Sequence, residues 1–232
     1  MSYTKKIVCL ANSRKPPSGR CIAGRELISE RFGTWIRPVS TRETREISEE
    51  ERRYEDGTDP KVLDIIKIEM MQSVPQGHQK ENHLIDHNYY WVKKGSISWD
   101  DLQRAVENLA GPLWINGYST SYGFNDRIPE NLLSQVDRSL YLVRPNTMSL
   151  MIAAEGDTFG SPRRRVRAQF DLHGHSYNIV VTDPWIEKKY LANPDGETKL
   201  KDVVLCVSLG EIFNGYSYKL AASVITAKRA ES

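Results

Sequence analysis

The pattern of apolar and polar residues is clearest in the C-terminal part of the chain. From residue 165 to residue 172 every second side chain is apolar, and the same alternation returns over residues 177–182. Side chains along a strand point alternately to its two faces, so each run has one apolar face. The sequence His173-Gly174-His175 between the two runs is typical of a turn, and we therefore predict a hairpin. Two further strands are predicted at residues 203–208 and 216–225.

The N-terminal part of the chain also predicts strands. Residues 6–10 form an apolar run, and a turn-forming cluster follows at residues 16–19. Residues 62–70 alternate in part between charged and apolar positions, as a half-buried strand does. Residues 34–39 are predicted to form an edge strand, because Pro38 has no N–H to donate to a neighbouring strand.

One helix is predicted between these two regions. Ser98 is suited to cap it, Asp101 stands at the capping-box position, and Gly111-Pro112 ends it. The highly charged residues 43–54 have no apolar stripe and are predicted to be a solvated connector. Short strands without a strand–helix–strand rhythm indicate a mainly β protein, a β-rich α+β fold of two tandem small barrels with a helical connecting segment.

Length and composition limit the classes of protein to which the chain can belong. The 232 residues are enough for two small domains, which we place at residues 1–138 and 139–232. No stretch approaches the roughly 20 apolar residues of a membrane helix. Three cysteines without a CxxC pair fit a reducing cytosol, so a cytoplasmic protein is expected. The net charge of +2 excludes a global positive field, so any binding of nucleic acid requires local patches.

Several longer strings carry a resemblance to a known family. They run in order from Lys6 to Ile225: KIVCLANSRKPPSGRCIAGRE, TWIRPVS, VLDIIKIEM, QKENHLID, YNIVVTDPW and CVSLGEIFNGYSYKLAASVI. In this combination the chain resembles the dual OB-containing domain family of prokaryotic proteins. The resemblance implies two consecutive OB-like barrels, and proteins of this kind occur in bacterial genome-conflict settings such as phage defence. OB barrels commonly bind oligonucleotides, although the same fold also binds oligosaccharides and proteins.

The first candidate site combines positive and aromatic side chains of the N-terminal half. Its members are Ser13, Arg14, Lys15, Arg20, Arg25, Trp35 and Arg37. Guanidinium and ammonium groups bind phosphates and an indole stacks on bases, so the group is a candidate nucleic-acid site. In the alternative interpretation, Trp35 belongs to the core and the arginines pair with Asp64, Glu69 or Glu81.

The second candidate site is the run Glu81, Asn82 and His83. An amide and an imidazole beside a carboxylate can read a base edge, and Glu81 and His83 can serve as base and acid. The structural alternative is that Asn82 and His83 anchor a loop to the barrel.

The third candidate site lies in the C-terminal half. Arg165 and Arg167 share one side of a predicted strand, and Trp185 follows nearby for stacking. If that side is open, the two arginines can follow a phosphodiester backbone. An aromatic stretch is either a further stacking platform or packs against the barrel: Trp114, Tyr118, Tyr122 and Phe124.

The sequence does not support catalysis. Asp64, Glu69 and Glu81 match no metal-site spacing, and His173 and His175 offer only two local ligands. We therefore expect no catalytic residue, no metal and no cofactor. The sequence favours a protein that binds nucleic acid, either single strands or junctions, as an accessory component of a prokaryotic defence or genome-maintenance system. The alternative is a protein-interaction module that holds a partner enzyme encoded nearby.

Overall fold

The computed structural model describes residues 2–156 and 162–231. They form two compact units, one made of the residues up to Ala105 together with those from Lys228 onward, the other of Val106–Ala227. The division lies before the border at 138/139 that the sequence suggested. The reason is that Leu113 and Ile128 are fully buried in apolar clusters of the second unit.

The described residues up to Ala105 form six strands and two short helices. They are β1 (Tyr3–Lys15), β2 (Gly19–Ile28), β3 (Arg31–Val39), α1 (Glu49–Arg52), β4 (Asp64–Ser73), β5 (Asn82–Ile85), β6 (Val92–Ser96) and α2 (Trp99–Gln103). The strands follow the order β1-β2-β3-β5-β4, and β4 pairs back onto β1. The sheet therefore closes into a five-stranded barrel, with β6 added beside β4.

Closure of this barrel depends on a close approach at Gly24. A Cβ atom at this position would lie 2.1 Å from the carbonyl oxygen of Val8, a distance that no side chain tolerates. The register of β1 against β2 shifts between Cys9 and Ala11, and such a bulge bends the strand. The barrel interior is filled by apolar side chains that include Ile7, Ile22 and Ile36 from three consecutive strands (β1 to β3).

The prediction of an edge strand at residues 34–39 is wrong. β3 pairs with β2 over its first part, up to Ile36, and with β5 in parallel from Arg37 to Val39. The Arg37 N–H donates to the Glu81 carbonyl oxygen at 2.8 Å, so the nitrogen of the next residue, Pro38, faces the side where β2 no longer pairs. A proline is therefore compatible with an interior strand at this point.

The predicted connector at residues 43–54 also contributes to the core. Ile47 is completely buried and Tyr54 is nearly so, and the Tyr54 hydroxyl donates to Asp64 at 2.9 Å. Between them Ser48 and Glu51 form a capping box for α1. The prediction was wrong because two isolated apolar positions among many charges produce no periodic signal.

The predicted helix after Ser98 is shorter than its pattern suggested. Ser98 caps α2 and Asp101 completes the capping box, as predicted, but the helix ends at Gln103. Beyond it the Glu107 N–H donates to the Leu142 carbonyl oxygen at 2.8 Å, and the Glu107 carboxylate accepts from the Leu142 N–H. Pairing with a strand thus replaces the helical hydrogen bonds.

The described part of the second unit contains eight strands. The elements are β7 (Arg127–Pro129), a 3₁₀ turn (Glu130–Gln135), β8 (Leu140–Val143), β9 (Thr147–Glu155), β10 (Arg163–Leu172), β11 (His175–Val181), α3 (Pro184–Tyr190), β12 (Gly196–Leu200), β13 (Val203–Phe213) and β14 (Tyr216–Thr226). The short helix α4 (Ala227–Ala230) follows, and its residues from Lys228 onward belong to the first unit. The predicted hairpin is confirmed as β10–β11, and the later strands are confirmed as β13 and β14.

The second unit repeats the strand order of the first. Its sheet runs β9-β10-β11-β14-β13-β8, and only residues 144–146 separate β8 from β9. β8 and β9 together thus act as one interrupted first strand, which closes the barrel between β10 and β13. β11 pairs in parallel with β14, as β3 does with β5. Two strands are additions, since β12 pairs along β9 and β7 along β14.

No helix in the described part of the chain is both long enough and apolar enough to cross a membrane.

Candidate nucleic-acid interface

The outer face of the second and third strands is the surface that OB barrels generally use for ligands. In the first barrel these strands are β2 and β3, and Arg25 stands directly opposite Trp35 in their register. The Arg25 guanidinium lies over the Trp35 ring, 5.7 Å from its centre, and its Nε donates to the Gly33 carbonyl oxygen at 2.6 Å. Both side chains are half-buried. The face therefore presents an indole with a fixed positive charge beside it.

Arg37 follows Trp35 on the same face but is buried. It is 2% exposed, and its Nη2 lies 3.0 Å from an oxygen of the Glu81 carboxylate. The structure thus brings the first and second candidate sites together through this ion pair. Because the pair is shielded from solvent, Arg37 and Glu81 hold the loop before β5 on the barrel, and neither belongs to the open face.

Asn82 and His83 also have structural contacts. The fully buried Asn82 accepts a backbone hydrogen bond from Val74 at 2.8 Å, which anchors the loop that precedes it. The His83 Nδ1 lies 2.6 Å from the Tyr3 hydroxyl. Burial, with the nearby Lys5 ammonium, lowers the pKa of His83 and so favours the neutral ring. These contacts are those of the loop-anchoring alternative.

Arg14 and Arg20 meet at the far end of the β1–β2 hairpin. They stand opposite each other in register, and Lys15 follows beside the turn. Alternation along β2 places Arg20 on the face opposite to Arg25, so these residues are separate from the Trp35 surface. Like charges directly opposite each other oppose strand pairing. Ser13, from the same predicted group, is 4% exposed.

The corresponding face of the second barrel is different. Arg165 is exposed, but Arg167 is 7% exposed and forks onto Glu155 at 2.5 and 3.2 Å. Its Nη1 also lies 3.4 Å from the Asp126 carboxylate. The expectation that Arg165 and Arg167 form an open track is therefore contradicted, because the chain's own preceding segment covers Arg167.

That segment is residues 118–126, which we call the covering segment. Phe124 exchanges two backbone hydrogen bonds with Asn178 of β11, at 3.1 and 2.9 Å, and the Asn178 amide donates to the Tyr122 carbonyl oxygen. The Asn125 amide donates to the Ser176 carbonyl oxygen at 3.0 Å. The covering segment is therefore attached along β11, where β14 does not pair, whereas Trp114 packs on Tyr141 and donates to the Arg138 carbonyl oxygen.

Trp185 and the histidines lie apart from this face. Trp185 is 42% exposed on α3, with the Lys189 ammonium 5.0 Å from its ring centre. His173 and His175 lie at the β10–β11 turn. Within residues 2–156 and 162–231, no three His, Cys, Asp or Glu side chains come close enough together to hold a metal ion.

Sequence reasoning missed a buried charged residue, Lys219. It is 1% exposed, and its ammonium donates to the Ile115 carbonyl oxygen at 2.9 Å and to the Asn116 side-chain oxygen at 2.7 Å. Burial lowers its pKa to about 7. The available signal was its position, two residues before the buried Ala221 and thus on the inward face of β14.

The strand order and the two repeated barrels agree with a comparison against protein families. The model described as the dual OB-containing domain matches residues 5–224. The chain belongs to the dual OB-containing domain family. Its β-rich fold of two barrels is the fold that the sequence predicted. Comparisons with curated proteins and with solved structures found no match.

Proposed function

We propose that this dual OB-containing protein binds single-stranded nucleic acid on the outer face of β2 and β3. The observation that carries the proposal is the cross-strand pair of Arg25 and Trp35 on the face that OB barrels use. Aromatic rings stack on bases of any sequence, and guanidinium groups attract the phosphates between them. The bases of a duplex already stack on each other, so this combination favours single strands and junctions.

The cationic end of the β1–β2 hairpin extends the proposed binding surface. Arg14 is exposed, and its partner Arg20 and the neighbouring Lys15 are half-buried. We propose that these residues contact phosphates beyond the nucleotide stacked on Trp35. Such contacts position the strand without reading its sequence.

We also propose that the protein acts in the cytoplasm as an accessory component of a prokaryotic defence or genome-maintenance system. This part of the proposal rests on the family resemblance alone. A measurable consequence is that deleting the gene changes phage sensitivity or DNA-damage survival in its host.

Binding is tested by fluorescence anisotropy with labelled single-stranded DNA, RNA and duplex DNA across a salt series. We expect tightest binding to single strands, with affinity that decreases as salt increases. Trp35→Ala should weaken binding by about 1–3 kcal/mol, the range for loss of one stacked base. Trp185→Ala is the matched control, since it removes an exposed indole elsewhere and should leave affinity unchanged.

Two outcomes would contradict the proposal. In the first, no oligonucleotide binds at low salt although both variants keep the wild-type circular dichroism spectrum. In the second, Trp35→Ala and Trp185→Ala weaken binding equally, which would show that the β2–β3 face is not the site.

A protein-interaction module is the second candidate function. Ile212 and Phe213, at the tip of the β13–β14 hairpin, are 50% and 65% exposed. Two adjacent apolar side chains on a projecting hairpin suit contact with a protein partner. Absence of oligonucleotide binding would favour this candidate, and an Ile212→Ser, Phe213→Ser variant would then be expected to lose the partner that co-purifies with the wild type.

A further inference from the structure

A cleft of about 960 Å³ lies on the outer side of the sheet in the second barrel. Its walls are the covering segment at Phe124, the break between β8 and β9, and the added strand β12. The volume is within the range of about 300–1,000 Å³ that small-molecule sites occupy. Two of the three walls are additions to a five-stranded barrel, so the cleft has no counterpart in the first unit's strand order.

The floor of the cleft is polar and ordered by strand register. Lys199, Ser149, Gln169 and Asn178 lie side by side across β12, β9, β10 and β11. Asp171 is the next residue along β10 on the same face, and it stands opposite Ser176. One oxygen of its carboxylate accepts from the Gly174 N–H at 3.2 Å, and the other remains available as an acceptor. The floor therefore offers an amide, a hydroxyl and a carboxylate on one rigid surface.

The two rims of the cleft differ in chemistry. On one rim Phe124 is 52% exposed, although its backbone is fixed to β11 by two hydrogen bonds. On the other rim Lys199 and Lys201 are exposed, and neither forms an ion pair with any described residue. From the backbone of Phe124, which pairs with Asn178, to that of Lys199 there are four strand spacings, or roughly 19 Å, because neighbouring strands lie about 4.8 Å apart. An aromatic ring and two ammonium groups thus face each other across a polar floor.

The charge balance of the lining limits the ligand further. Glu197 and Asp202 also line the cleft, and Asp202 is bonded to Arg144 at 3.2 Å. With acids and bases nearly balanced, the cleft is not suited to a polyanion lying along it. A ligand with one anionic group at the lysine rim and a flat, hydrogen-bonding ring at the phenylalanine rim matches both ends.

We propose that this cleft binds one nucleoside monophosphate unit, either a free mononucleotide or the terminal nucleotide of a strand. The base stacks on Phe124, Gln169 and Asp171 hydrogen-bond its edge, and the phosphate lies at Lys199 and Lys201. A carboxylate accepts hydrogen bonds and donates none. Uracil offers it only the ring N3–H, which lies between two carbonyl oxygens that repel a carboxylate, so bases with an exocyclic amine are preferred over uracil. The site is separate from the β2–β3 face and does not depend on the function proposed there.

Isothermal titration calorimetry of the full chain tests the proposal, with AMP, CMP, GMP and UMP as probes. We expect UMP to bind most weakly, by about tenfold, the scale of one lost base contact. Phe124→Ala should lower the affinity for every mononucleotide by about tenfold or more. Asp171→Asn should reduce the discrimination against UMP, because an amide can both donate and accept.

The phosphate end of the site is tested separately. A Lys199→Glu, Lys201→Glu variant should lose about tenfold in affinity for a mononucleotide and leave the affinity for the corresponding nucleoside unchanged. Oligonucleotides with and without a 5′-phosphate distinguish a free mononucleotide from the terminal nucleotide of a strand as the ligand. Binding of mononucleotides alone assigns a free ligand, and a Phe124-dependent preference for the phosphorylated oligonucleotide assigns a strand end.

The proposal is overturned if Phe124→Ala binds mononucleotides and oligonucleotides with the same affinity as the wild type. Hydrogen exchange must show that the covering segment is still in place in this variant. Trp35→Ala separates this outcome from failure of the first-barrel proposal. That variant should leave mononucleotide binding unchanged while it weakens oligonucleotide binding.

Discussion

The two barrels share a strand order, but the outer face of their second and third strands is used differently. In the first barrel this face carries Arg25 and Trp35, held together and still partly open to solvent. In the second barrel the equivalent face holds Arg167, which is buried under the covering segment. An arginine on an outward strand position can therefore be a ligand contact or a structural bond. What decides between them is whether another part of the chain reaches it.

The added segments explain this division. The covering segment lies along β11, in the stretch that β14 leaves unpaired, and β12 extends the sheet beyond β9. Both additions remove open surface from the strands of the second barrel, and they create the cleft between Phe124 and Lys199. In the first barrel the addition, β6, pairs with β4 and leaves the β2–β3 face unaltered.

The largest effect is expected from removing the buried arginine of the second barrel. Arg167→Ala removes the cation that contacts both the buried Asp126 carboxylate and the half-buried Glu155 carboxylate, and breaking a buried pair of this kind costs about 3–5 kcal/mol. Arg165→Ala is the control: the exposed Arg165 lies 3.7 Å from the same Glu155 carboxylate, and loss of a solvent-exposed ion pair costs at most about 1 kcal/mol. Hydrogen exchange of the β9 and β10 amides measures the stability change of each variant within the second unit alone. Equal protection in the two variants would show that Arg167 does not hold the covering segment.

The next effect is a pH dependence confined to the second barrel. The pKa of Lys219 is about 7 when folded and 10.5 when unperturbed, so between these values the unfolded chain binds more protons. The free energy of unfolding of the second barrel should therefore rise from pH 7 toward pH 10, by up to about 1.4 kcal/mol per pH unit. Urea denaturation at several pH values checks this.

A Lys219→Met variant provides the control for that measurement. The variant leaves the acceptors at Ile115 and Asn116 without the ammonium, so its absolute stability is expected to fall. The diagnostic quantity is the slope with pH, which the substitution should remove whatever the absolute stability. A slope that survives in Lys219→Met would assign the pH dependence to another group.

The smallest effect is expected at the hairpin end of the first barrel. An Arg14→Ala, Arg20→Ala variant should weaken single-strand binding and flatten its dependence on salt by about 1.4 in the log–log slope, about 0.7 for each lost phosphate contact. An Arg163→Ala, Arg165→Ala variant removes two charges from the second barrel and should leave the slope unchanged. A change of equal size in both variants would indicate only a general charge effect.

Local patterns determined much of the fold. The alternation in residues 165–172, with a Gly-containing turn after it, predicted the β10–β11 hairpin, because strand periodicity is a property of neighbouring residues. Ser98 and Asp101 likewise predicted a capped helix start. The order of the longer sequence segments was sufficient to identify the family. Each of these signals lies within one short stretch, so no knowledge of distant contacts is needed to read it.

The tertiary structure alone decided which charges are available to a ligand. Arg25 and Arg37 both occupy outward positions, yet Arg37 is buried against a carboxylate from a loop 44 positions later in the chain, while Arg25 stays half-buried beside Trp35. Arg167 is buried by a segment that precedes it by some 40 residues, and Lys219 by residues more than 100 positions away. Burial depends on contacts between residues far apart in sequence. Composition and periodicity report only on neighbours, so they identify a strand face without showing what covers it.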